Sequence, residues 1–277
     1  MQLRALITGG YGFLARHVRD RLVQMNYEVV GLVRQRHAQE SLEPLYDSFS
    51  QLSAAESDFD VIFHLGAFIP GGKSDRPDPV LITSNIELTS MLALRYPQAK
   101  MVFASSVSVY GLPASLPITT KTVFNTPGYY GLSKLAGEAI VINLERHSIS
   151  RFTSIIGKGM TQKTFVNHVV NGARDGLITV YGTGARQQNY IDANDAARLC
   201  IEASLQEKSL LILGVSRASY SNLEVATVAA GITGAEIRLT GQDDAVSYIY
   251  DVESSYESIN FEPKVSLKQS IQAMLSV

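Results

Sequence analysis

The sequence predicts a doubly wound, parallel α/β sheet with a small C-terminal lobe. Three observations predict it: short apolar runs separated by longer segments of helical spacing, a glycine turn directly after the first run, and a loosening of that alternation past residue 157. Strands that alternate with helices form right-handed βαβ units, and such units build parallel sheets.

Taken in order, the apolar runs at 3–7, 28–33, 61–65, 101–104 and 150–155 read as strands. Helical spacing fills 13–25, 82–96 and 130–147 between them. Beyond Gly157, glycines at 172, 176, 182, 184 and 214 divide the chain into short pieces. Residues 1–156 are therefore expected to form the sheet domain, and 157–277 mainly a smaller lobe interleaved with the end of that sheet. At 277 residues the chain is long enough to bury a core without staples.

Composition excludes several classes. A formal net charge of -2 and a pI near 6.2 provide no broad positive field for nucleic acid. No apolar run approaches the ~20 residues that span a bilayer, and the N-terminal apolar stretch is too short for a signal-peptide core. The single cysteine, Cys200, makes no internal disulfide, as a reducing compartment permits. A cytoplasmic protein without membrane or nucleic-acid partners is expected.

The first turn reads Thr8-Gly9-Gly10-Tyr11-Gly12-Phe13-Leu14. Gly9 and Gly12 suit a tight strand-to-helix turn in which a dinucleotide's pyrophosphate meets backbone N–H groups and the positive end of the helix at Phe13 and Leu14. At the end of the second strand, where an acid would bind the ribose hydroxyls of NAD, the chain has Val33 and Arg34, with Arg36 just beyond. Arginine binds a 2′-phosphate bidentately, so NADP is expected in preference to NAD, which remains possible.

Tyr130 and Lys134 lie four apart in YGLSK, on one face of the expected helix. An ammonium beside a phenol favours the phenolate, so a lowered Tyr130 pKa is expected, and with it proton exchange with a substrate oxygen. Ser106 follows the fourth strand, at the carboxyl edge where doubly wound sheets hold ligands, and can hydrogen-bond the reacting oxygen.

The segments TGGYGFLARHV, DVIFHLGA, FASSVSVYG and YGLSKLAGE occur in the order found in the NAD-dependent epimerase/dehydratase family of extended short-chain dehydrogenases, which residues 1–200 resemble. The resemblance implies a Rossmann domain with a C-terminal substrate lobe and Ser106, Tyr130 and Lys134 as the catalytic set, with Lys134 also on the nicotinamide ribose. It further implies Leu65, Gly66 and Ala67 along the cofactor phosphates, a structural role for Asn85, a homodimer built on the helices near 84–96 and 130–147, and a nucleotide-sugar substrate. His64, taken by itself, reads as a satisfied core histidine. Asp192, Asn194 and Asp195 read as a loop and helix cap rather than a metal site.

Four positions depart from the family. Val107 and Ser108 stand where dehydratases carry Asp-Glu, which sets dehydration aside. Gln188 occupies the place of a phosphate-binding arginine, with Arg186 nearby, and Ser154 replaces an asparagine of the substrate lobe. A 4-ketoreductase consuming NADPH is favoured on Arg34 and Arg36. The alternatives are a 4-epimerase with retained NAD and a reductase of a non-nucleotide ketone. A non-catalytic nucleotide sensor is disfavoured by the complete Ser106, Tyr130 and Lys134 set.

Overall fold

A computed structural model describes residues 2–34, 44–70 and 78–276. The chain opens with β1 (Arg4–Thr8), α1 (Phe13–Gln24), β2 (Glu28–Leu32), β3 (Leu45–Tyr46), α2 (Phe49–Ala55) and β4 (Val61–His64). It continues through α3 (Pro79–Leu81), a π-helical turn (Ile82–Glu87), α4 (Leu88–Arg95), β5 (Lys100–Ser106), a 3-10 turn (Val107–Tyr110), α5 (Tyr129–Val141) and β6 (His147–Phe152). The second half holds β7 (Ser154–Ile156), α6 (Phe165–Arg174), β8 (Leu177–Tyr181), β9 (Gln187–Asp192), α7 (Ala193–Leu205) and β10 (Leu210–Gly214). It ends in β11 (Ser219–Ser221), α8 (Asn222–Thr233), β12 (Glu236–Thr240), α9 (Glu253–Ile259) and α10 (Leu267–Leu275).

Seven parallel strands form one sheet in the order β10-β6-β5-β4-β1-β2-β3. The order reverses between β1 and β4, so the loops leaving these two strands diverge and open a crevice at their carboxyl ends. Both faces of the sheet are covered, which is why Ala5, Leu6 and Ile7 are apolar in succession and fully buried. One face packs α1 and α7 over Ala5, Ile7, Val18, Leu22 and Cys200. The other packs α2, α4 and α5 over Leu6, Ile62, Leu92, Phe103 and Val141.

The alternation read from sequence recurs with two adjustments. The run at 150–155 divides into β6 and β7 at Thr153, whose N–H bonds Gly214 and whose hydroxyl bonds Asn189. The helix expected to reach 147 ends at Val141, because His147 starts β6 opposite Met101 of β5.

Past β7 the chain builds a second core from Val166, Val169, Ile178, Val180, Val225, Ala226 and Ile271. This core carries two small sheets, β11-β9-β7 and β12-β8. The chain returns to the large sheet through α7 and β10, and α9 packs there through Tyr256 and Ile259. Asp192 caps α7 by accepting the Asn194 N–H at 2.8 Å, as its place in the sequence suggested. Asp195 binds the N–H groups of Lys264 and Val265 at 2.8 Å each, tying the C-terminal segment to that helix.

Candidate active site

A pocket of about 1500 Å³ runs from the glycine turn across the carboxyl ends of β1, β4 and β5 to the second lobe. Gly9, Gly12, Phe13, Leu14, Arg34, Leu65, Gly66, Ala67, Ser106, Tyr130, Ser154, Arg186 and Gln188 all line it. Arg36 lies outside the described residues.

The glycines of the turn are dictated by close approach. Gly9 has φ +66°, and a Cβ there would stand 2.7 Å from Cα of Gly66, so two strand ends meet backbone to backbone. A Cβ on Gly12 would lie 2.9 Å from the Gly9 carbonyl. Gly12 caps α1 with no side-chain hydrogen bond, which leaves the first N–H groups of that helix directed at the pocket. This bare, narrow cradle fits a dinucleotide pyrophosphate.

Ser106 and Tyr130 meet on the pocket wall. Ser106 ends β5 and accepts the Ser108 N–H at 3.2 Å, which fixes its side chain at the start of the 3-10 turn. Tyr130 enters from the first turn of α5, and its phenol comes near enough to the Ser106 hydroxyl for that hydroxyl to favour the phenolate. Gly131 allows this approach, because a Cβ there would strike the Ser108 carbonyl at 2.4 Å.

The expected effect of Lys134 on Tyr130 is not what the structure shows. Burial dominates at the phenol and pushes its pKa up to about 12, and the Ser106 hydrogen bond only partly offsets this. Lys134 is itself buried, with Nζ 4.1 Å from the centroid of the Phe103 ring and a pKa lowered to about 7, mainly by desolvation. The ammonium is spent on an aromatic face behind the pocket wall rather than on the phenol.

Behind this wall runs a polar chain that joins the turn after β1 to α5. Thr89 donates to the Asn85 carbonyl at 2.8 Å, so its oxygen accepts from Nε2 of His64 at 2.8 Å. Nδ1 of His64 then accepts from Thr8 at 2.7 Å, and Thr8 accepts the Gly66 N–H at 3.0 Å. Asn85, in the π-helical turn, binds both backbone groups of Phe68 and the Ser133 hydroxyl, and Ser133 donates to the Tyr130 carbonyl. Sequence reading took His64 and Asn85 as structural residues. The chain through Thr8, Thr89 and Ser133 escaped it, because its members come from five separate elements.

A neutral His64 completes this chain, and burial holds its pKa down at about 3. The unfolded histidine titrates near 6.5, so below that pH the unfolded chain binds a proton that the folded chain refuses. Stability is expected to fall as pH drops from 6.5 towards 3, by on the order of 5 kcal/mol for this group alone. Chemical denaturation across that range checks it, and His64→Gln is expected to flatten the slope. An unchanged slope would contradict a neutral, buried His64.

The model of the NAD dependent epimerase/dehydratase family matches residues 5–245. The chain belongs to that family. It is 24% identical to the UDP-glucose 4-epimerase of Lactobacillus helveticus over 95% of this chain and 92% of that one. Two solved structures from Bacillus cereus share the fold. UDP-N-acetylglucosamine 4-epimerase has a TM-score of 0.85, 23% identity and coverage of 99% and 96% of the two chains. UDP-glucuronic acid 4-epimerase, in complex with UDP-glucuronic acid and NAD, has a TM-score of 0.84, 20% identity and coverage of 99% and 98%. Among the described residues, no helix is long and apolar enough to cross a membrane.

Other pocket residues went unremarked in the sequence. Tyr248 and Tyr250 reach the pocket from the segment before α9, and Lys163 and Thr164 from the start of α6. Asp47 and Ser48 line its far end beside Arg34. None of these positions carries a spacing signal, because each is brought to the pocket by a loop.

Proposed function

We propose that the protein transfers a hydride at a carbinol carbon of a nucleotide sugar, as a 4-epimerase with a retained NAD. The observation that carries this reading is the Ser106–Tyr130 hydroxyl pair on the pocket wall beside the Gly9 and Gly66 cradle. The relatives named as 4-epimerases support the epimerase over the ketoreductase that Arg34 first suggested.

When bound, the nicotinamide supplies the acceptor, and later the donor, of one hydride. Gly9, Gly12, Gly66 and Ala67 would hold its phosphates and Arg34 the adenosine end. Ser106 orients the reacting hydroxyl, and Tyr130 takes its proton as the hydride leaves and returns it as the hydride comes back. Burial holds Tyr130 in its protonated form, so forming the phenolate that takes the substrate proton is the costly part of the first half of the cycle.

A second reading, an NADPH-consuming ketoreductase, rests on exposed Arg34 following Val33 at the end of β2, where no acid stands. The nucleotide released on denaturing freshly purified protein separates the two. Stoichiometric NAD or NADH is the expected result. An empty protein that binds NADPH more tightly than NADH would favour the reductase.

The assembly we infer is a homodimer. Met91, Leu94, Leu132 and Ile142 on and just after α4 and α5 are solvent-exposed, Leu94 to 81%, and the two helices pack side by side. Sedimentation is expected to give twice the chain mass, and Leu94→Glu to give the monomer; a monomeric native protein would reject this assembly. A cytoplasmic location accords with the lone buried Cys200.

A further inference from the structure

At the lobe end of the pocket an amide stands where the family resemblance places a phosphate-binding arginine, and its side chain is fixed. Gln188 on β9 lines the pocket, and its Nε2 donates to Oδ1 of Asn222 at 2.7 Å. Asn222, the first residue of α8 and buried, donates through Nδ2 to Oδ2 of Asp243 at 3.3 Å. The other oxygen of Asp243 accepts the Ala245 N–H at 3.1 Å. Gly182 lets this segment come close, since a Cβ there would lie 2.9 Å from the Asp243 backbone nitrogen.

The direction of every bond in this chain follows from its last member. A carboxylate only accepts, so Asn222 must turn its NH2 group to Asp243 and its carbonyl to Gln188. Gln188 must then donate, which leaves its Oε1 as the end available to the pocket. The amide orientations are thus set by chemistry rather than by choice between equivalent fits.

We propose that Gln188 is a specificity-determining residue whose Oε1, oriented through Asn222 by Asp243, accepts a hydrogen bond from a hydroxyl or amide N–H of the substrate and turns phosphate oxygens away from that position. On the nucleotide-sugar reading above, the substrate's anionic part is then left to Arg186, two residues earlier along the same strand side. Arg186 is held by its Nε bond to the Val246 carbonyl, 3.2 Å, and lines the pocket.

Asp243→Asn tests this with little risk to folding, because the new side chain keeps an acceptor for Ala245 and adds a donor. Asn222 is then free to turn, and Gln188 to present its NH2 group to an anion. With NAD-loaded protein and UDP as the probe, calorimetry is expected to show about tenfold tighter binding in Asp243→Asn than in wild type, the size of one hydrogen bond to a charged group. In a Gln188→Leu background the same substitution is expected to change UDP affinity less than twofold.

An equal gain in both backgrounds would mean simple removal of a negative charge and would overturn the proposal, as would no gain in either. If UDP binds no variant, the nucleotide-sugar reading fails. Pyrophosphate, which needs no base recognition, then serves as the probe under the same criteria, and its failure to bind Asp243→Asn would overturn the Gln188 proposal itself.

Discussion

Replacing Tyr130 by phenylalanine is expected to lower turnover by about 10³-fold, within the range that positioned general acid–base groups contribute. The change removes one oxygen and leaves the ring in place in the first turn of α5. Nucleotide affinity is expected to stay within about twofold of wild type, because the cradle is built from Gly9, Gly12 and Gly66 on other elements. Ser106→Ala is expected to cost less, since its hydroxyl would orient the reacting oxygen and favours the Tyr130 phenolate without carrying the proton away.

Removing the carboxylate of Glu138 is expected to destabilise the fold by about 3–5 kcal/mol, the cost of leaving a buried charge unpaired. Glu138 receives two bonds from Arg151, Nε to Oε1 at 3.0 Å and Nη2 to Oε2 at 2.7 Å, and a third from Ser105 at 2.5 Å. Arg151 is 3% exposed and also reaches the Tyr110 hydroxyl at 2.8 Å, so nothing but protein surrounds it. Glu138→Ala would strand this guanidinium between the rings of Tyr110 and Phe124. Denaturant unfolding checks the figure, and a loss below about 1 kcal/mol would show that Arg151 finds water or another partner. Because Ser105 precedes Ser106 and Glu138 lies on the helix of Tyr130, the pair also locks the two reactive elements together.

The sequence-read positions that the structure brings to one pocket are those where backbone geometry leaves a residue no alternative. Gly9 and Gly12 follow a strand because two stretches of backbone must touch there, and Ser106 and Tyr130 occupy a strand end and a helix start, which topology delivers to the same crevice. What sequence misjudged depends on where long side chains travel. Lys134 shares a helix face with Tyr130, yet its ammonium settles on Phe103, a residue of β5 that helical spacing cannot bring into view. The second lobe was illegible for a related reason. Its strands are three to six residues long, pair across the chain rather than with neighbours, and include two-stranded β12-β8, so no run carried enough pattern. Gln188 was visible as a departure, but its meaning depends on Asn222 and Asp243, 34 and 55 positions away by residue number.

On the proposed function, Tyr130 moves the proton that accompanies hydride transfer on a nucleotide sugar. The direct measurement is the absorbance of reduced nicotinamide after rapid mixing of NAD-loaded protein with a panel of UDP-sugars, wild type against Tyr130→Phe. Transient reduction is expected in wild type with at least one sugar, and about 10³-fold slower reduction in the variant, at matched NAD affinity. Equal rates in the two proteins would contradict it.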